Sequence, residues 1–128
     1  MLYVQETNNS IDDVCRKIQD SALQNKFGVL AVIDLKEKMA SKGVPFGPEC
    51  RIIEICNPVQ AKKMLEANMS ISSALPCRIS VYQDAGKIKV VTLKPTAVLG
   101  LFGNPEIETV AKQVEDTVLH IIDTACKK

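Results

Sequence analysis

Apolar positions along the chain fall into two rhythms, a short alternation and a longer period of three to four residues. Leu2 to Thr7 reads as a short strand. Ser10 and Asp13 then resemble a capping box, with Ile11, Val14, Cys15, Ile18 and Ala22 following at helical spacing. The run Phe27-Gly28-Val29-Leu30-Ala31-Val32-Ile33 is apolar at nearly every position, a pattern that suits a central strand covered on both faces. Asp34 and Glu37 can cap a short second helix carrying Leu35 and Met39, which Gly43, Pro45, Gly47 and Pro48 break into a loop.

Arg51 to Ile55 predicts a third strand, and Asn57-Pro58 with Gln60 predicts the start of a third helix burying Ala61, Met64 and Leu65. Cys77 to Gln83 and Lys87 to Lys94 read as two strands joined by the turn Asp84-Ala85-Gly86. Lys94-Pro95-Thr96 reads as punctuation after the last strand, and Val98-Leu99-Gly100-Leu101-Phe102-Gly103 as an apolar loop that could form a lid over the polar face, a dimer contact or a plug into the core, the last two being favoured. Asn104-Pro105 repeats the helix-start signal, and an apolar stripe from Ile107 to Ala125 predicts a helix about 33 Å long. The order β-α-β-α-β-α-β-β-α predicts one α+β domain over residues 1–128, two-layered, with a mixed five-stranded sheet and helices mainly on one face.

Composition narrows the function classes. Hydrophobic residues make up 46% and charged residues 24% of 128 residues, ordinary values for a folded domain. Sixteen basic and fifteen acidic side chains leave a net charge of +1, and aromatics are 4% with no Trp. Neither a basic footprint nor a base-stacking platform for nucleic acid is present. No apolar stretch approaches the ~18 residues of a membrane span. Met1-Leu2-Tyr3-Val4-Gln5-Glu6 has no signal-peptide pattern, so the expected location is the cytoplasm and the five cysteines are expected as free thiols.

Two of those cysteines flank prolines, in Cys56-Asn57-Pro58 and Leu75-Pro76-Cys77-Arg78. With Phe27-Gly28-Val29-Leu30, Ile33-Asp34, Ala61 and Val81-Tyr82, these motifs make the chain resemble the family known as domain of unknown function 302, over roughly Leu2 to Pro95. The resemblance implies a compact α+β domain, often dimeric, with no established activity. Relatives usually carry an acid after the Val-Tyr pair and often Asn after Leu-Pro-Cys. This chain has Gln83 and Arg78 there, so a ligand role for such an acid or amide does not transfer.

The residues themselves suggest a site. Cys56 lies just before a helix start, where backbone N–H groups favour a thiolate, and is the candidate catalytic nucleophile of a thiol enzyme or redox protein. Strand parity places Glu54, Cys56, Arg78, Ser80 and Tyr82 on the face opposite the helices, with Cys77 on the core face, so the two cysteines are expected on opposite sides of the sheet. With Asn57, that polar face is the expected ligand-binding site for a small polar or anionic molecule, covered by a second copy in a homodimer. A solvated sheet face in a purely structural dimer is the plain alternative. No metal site is expected, because there is no Cys-x-x-Cys and the single histidine, His120, lies on the flank of the last helix. No cofactor is identified, and no phosphate loop is present.

Overall fold

A computed structural model describes residues 1–128. The strands are β1 (Leu2–Thr7), β2 (Gly28–Asp34), β3 (Cys50–Cys56), β4 (Cys77–Asp84) and β5 (Lys87–Leu93). The α-helices are α1 (Ile11–Gln24), α2 (Leu35–Ser41), α3 (Pro58–Ala67), α4 (Pro95–Leu99) and α5 (Pro105–Cys126). Two 3₁₀ turns follow α3 and α4, at Met69–Ala74 and Gly100–Phe102.

Local chemistry sets most helix boundaries. Ser10 Oγ accepts the Asp13 amide at 3.2 Å, and Asp34 Oδ1 accepts the Glu37 amide at 3.0 Å. Asn57 Oδ1 accepts from Val59 and Gln60, and Asn104 Oδ1 from Glu106 and Ile107, each with proline as the next residue. These are the side-chain caps that satisfy otherwise orphaned first-turn N–H groups. The hairpin between β4 and β5 turns on Ala85 (φ 52°) and Gly86 (φ 80°), two positive-φ residues matching the right-handed twist of the strands.

The sheet order is β1-β5-β4-β3-β2, and every pairing is antiparallel. The α+β class and five strands match expectation; the mixed sheet does not, since no parallel pair forms. The doubly covered reading of Phe27–Ile33 fails for a related reason. β2 is an edge strand with a register shift between Val29 and Ala31, and Leu30 and Val32 are 61% and 45% exposed. The register shift interrupts alternation within the apolar run, and Leu30 and Val32 are not covered. The apolar loop at 98–103 is also corrected, because α4 and the second 3₁₀ turn occupy it.

One face of the sheet packs on α1 and α5. Val14 and Ile18 of α1, Ile53, Ile79, Val81 and Val90 of the strands, and Val118, Ile121 and Ile122 of α5 form a continuous buried cluster. Each such side chain contributes roughly 1.5–3 kcal/mol by leaving water. A smaller cluster of Met64, Ile71, Leu99, Ile107 and Ala111 holds the first 3₁₀ turn and α4 against α3 and α5. Tyr3 on edge strand β1 donates a short hydrogen bond to Asp123 of α5, fastening that edge to the helix layer.

The other face is half-buried to exposed. Register aligns Ile33, Ile52, Ser80, Val91 and Val4 in one row across all five strands. Glu54 and Arg78 lie on one side of this row, and Cys50, Tyr82, Lys89 and Glu6 on the other.

Candidate functional site

The expected polar face exists, but its members do not converge. Glu54 lies opposite Arg78, and Arg78 Nε donates to Glu54 Oε2 at 2.9 Å. Ser80 lies opposite Ile52, and Tyr82 opposite Cys50. Arg78 and Tyr82 are four residues apart on one strand, about 13 Å. Glu54, Arg78 and Ser80 therefore form one neighbourhood, while Tyr82 belongs to the far row beside Lys89. Asn57 spends its carbonyl oxygen on the α3 cap, at 3.1 and 3.2 Å from the Val59 and Gln60 nitrogens.

The two proline-flanked cysteines lie closer in environment than alternation suggested. Cys77 sits opposite Ile55, and both Cys56 and Cys77 line a cavity of about 10 Å³ beside the start of α3, with Asn57, Gln60 and Met64. Register keeps Cys77 opposite the buried Ile55, with Cys56 the next residue along β3 and paired with Gly28, so the two thiols approach at the strand ends while parity still assigns them opposite faces. Both thiols are free. Burial pushes the Cys56 thiol up from its ordinary value. Cys77 is pushed up to about 11, by burial first and then by the nearby Cys56. A raised pKa reduces the thiolate fraction at neutral pH, which is the reacting species.

A cleft of about 470 Å³ opens where the uncovered face meets the ends of β4 and β5. Ile52, Ser80 and Val91 form its floor on the open face, and Pro95, Val98 and Leu99 of α4 form a wall. The segment Ser73–Cys77 supplies the opposite wall, and Met64 and Val114 reach it from the helix layer. Of its 17 lining residues 11 are hydrophobic, and Arg78 is the one charged residue among them. That volume and lining suit a small organic molecule.

The wall at α4 is held from a distance. Lys94, at the N-cap of α4, makes no side-chain cap. Glu115 of α5, 7% exposed, takes that role: its Oε1 accepts the Thr96 amide at 3.2 Å and the Thr96 hydroxyl at 2.6 Å. Strand parity singles out Arg78 and Ser80, which border the cleft, but not α4, Glu115 or the Ser73–Leu75 wall. The available signal was Pro95, a favoured first helical residue, followed by three residues compatible with a helix. His120 is exposed on α5. No group of three or more His, Cys, Asp or Glu side chains is placed to hold a metal ion. No helix is long and apolar enough to cross a membrane.

Comparison with known proteins agrees over nearly the whole chain. Residues 3–125 match the family model described as "Domain of unknown function DUF302". A solved structure, the crystal structure of an uncharacterized conserved protein DUF302 from Bacillus stearothermophilus, is similar at 29% identity. It superposes with a TM-score of 0.92, covering 98% of both chains. No curated protein matches the chain.

Proposed function

The chain belongs to the DUF302 family, and within that family we propose that it is a homodimeric module that binds a small molecule in the cleft beside Arg78. The observation that carries the reading is the cleft itself: an apolar recess of about 470 Å³ with one charged side chain at its mouth. Its lining, mostly apolar with a few polar groups at one end, is the composition of a small-molecule site. Glu54, Arg78 and Ser80 form the polar end of the site, Cys56 and Asn57 stand behind it, and Tyr82 lies on the rim of the same face.

The dimer reading rests on the row Ile33, Ile52, Ser80, Val91 and Val4, extended by Leu2 and Leu93, which are 57% and 52% exposed. A contiguous apolar band on an uncovered sheet face marks an interface. Arg78 and Glu54 on one flank and Lys89 and Glu6 on the other supply both signs of charge for a two-fold partner. The second copy would roof the cleft. Thiol chemistry at Cys56 is the weaker reading because burial raises that thiol's pKa.

A thermal-shift screen of a chemically broad metabolite set tests the binding reading. A ligand at 100 times its Kd stabilises by about 2.7 kcal/mol, and Val98→Trp, which fills the cleft, should erase that shift. No shift across the set counts against binding. Sedimentation should give twice the 14.0 kDa chain mass, reduced to a monomer by Val91→Asp; a monomeric wild type overturns the dimer.

A further inference from the structure

We infer that the cleft selects an apolar molecule bearing a single carboxylate, held end-on by the guanidinium of Arg78. This rests on the binding reading above and adds the ligand's chemical class. The polar groups of the lining decide it. Ser73 Oγ donates to the Ser70 carbonyl at 2.8 Å, and Thr92 Oγ1 donates to the Arg78 carbonyl at 2.8 Å. Both hydroxyl protons are consumed inside the protein. Cys77 supplies only a weak thiol donor. Arg78 and Ser80 remain as the groups free to address a ligand.

Arg78 is held in a way that leaves its outer edge to bind. Only Nε is engaged, by Glu54 at 2.9 Å, and the Arg78 side chain is 57% exposed against 19% for Glu54. The two Nη groups form the terminal fork of the guanidinium, whose spacing matches the two oxygens of a carboxylate. Glu54 thus orients the arginine from behind, and a second carboxylate can meet it from the front.

The rest of the lining excludes other classes. Sugars and nucleotides carry many hydroxyl, amide or phosphate groups, and each left against Val98, Leu99, Val91 or Ile52 would cost ~1–3 kcal/mol as an unsatisfied polar group. A ligand with an apolar body buries that lining at no such cost. One charged end at the mouth and an uncharged body inward is the arrangement the lining matches.

Octanoate and its neutral counterpart 1-octanol separate this inference from the reading beneath it. Both are titrated calorimetrically into the full chain at pH 8. Octanoate should bind at least tenfold more tightly than 1-octanol, and Arg78→Gln should bring the two within about threefold. A urea midpoint close to that of wild type shows that the variant is folded. Equal affinities in the wild type, or a preference that survives Arg78→Gln, overturn the carboxylate class while leaving the cleft as a binding site. Binding of neither compound overturns both.

Discussion

Removing the carboxylate of Glu115 should detach one wall of the cleft at a cost that can be worked out from its contacts. Glu115 is 7% exposed, and its Oε1 accepts two hydrogen bonds from Thr96, at 3.2 Å from the amide and 2.6 Å from the hydroxyl. Hydrogen bonds to a charged group contribute about 1.5–3 kcal/mol, and one of these two satisfies a first-turn amide that nothing else caps. The carboxylate also faces the positive end of a helix, although α4 has only five residues, so about 0.3 kcal/mol is the most to add. Glu115→Ala is therefore expected to destabilise the fold by about 2–3 kcal/mol. In a chain of 128 residues that lowers Tm by very roughly 8–12 °C.

Urea denaturation is the assay, with the midpoint moving and the slope unchanged. Glu115→Gln keeps an acceptor but loses the charge and should cost about half as much. A double-mutant cycle with Thr96→Val isolates the contact from any cavity left by the alanine, with an expected coupling above about 1 kcal/mol. If Glu115→Ala falls within about 0.5 kcal/mol of wild type, the usual surface range, then α4 is held by Leu99 and its cluster alone and the trans-cap has no energetic role. A ligand-induced thermal shift should shrink in the same variant, because Pro95, Val98 and Leu99 line the cleft from α4.

Three further outcomes are expected. Asn57→Ala removes the double acceptor at the start of α3 and should cost about 1 kcal/mol by urea titration, with Asn57→Asp largely preserving stability. Ile79→Ala, at a fully buried position on central strand β4, should cost about 2–5 kcal/mol; a loss under 1 kcal/mol would contradict the packing assigned to that core. The thiol of Cys77, pushed up to about 11 from an ordinary 9.0, stays protonated in the fold while the unfolded chain ionises. Its contribution is therefore complete below pH 9 and is lost as pH rises from about 9 to 11, so the urea midpoint of wild type should fall across that window more steeply than that of Cys77→Val. Parallel pH curves for the two proteins would contradict the raised value.

What could be read from the sequence depended on how far apart the cooperating residues lie. The caps at Ser10, Asp34, Asn57 and Asn104 act on amides two or three residues ahead, so their helices were legible. The stripe from Ile107 to Ala125 repeats within one helix and was legible for the same reason. Helix α4 was not, because its cap comes from Glu115, nineteen residues later, and no local rule couples Thr96 to that position. Strand direction was hidden too. An apolar run such as Phe27–Ile33 looks alike on a bulged edge and in a doubly covered centre, and only pairing with β3 separates the two.

The same distance rule explains why the mouth of the cleft was found and its body was not. Parity along β3 and β4 puts Glu54, Arg78 and Ser80 on one face, and alternation needs only a strand to be valid. It says nothing of distance, and Cys56 and Cys77, on adjoining strands, border one small cavity. The cleft needs three segments brought past the ends of β4 and β5: Ser73–Cys77, α4 and the inner side of α5. Each reads separately as loop, punctuation or core. Arg78 draws its significance from their meeting, since a cation paired across two strands is ordinary sheet chemistry. The same cation is the one charge bordering an apolar recess, and the proposed choice of ligand rests on that position.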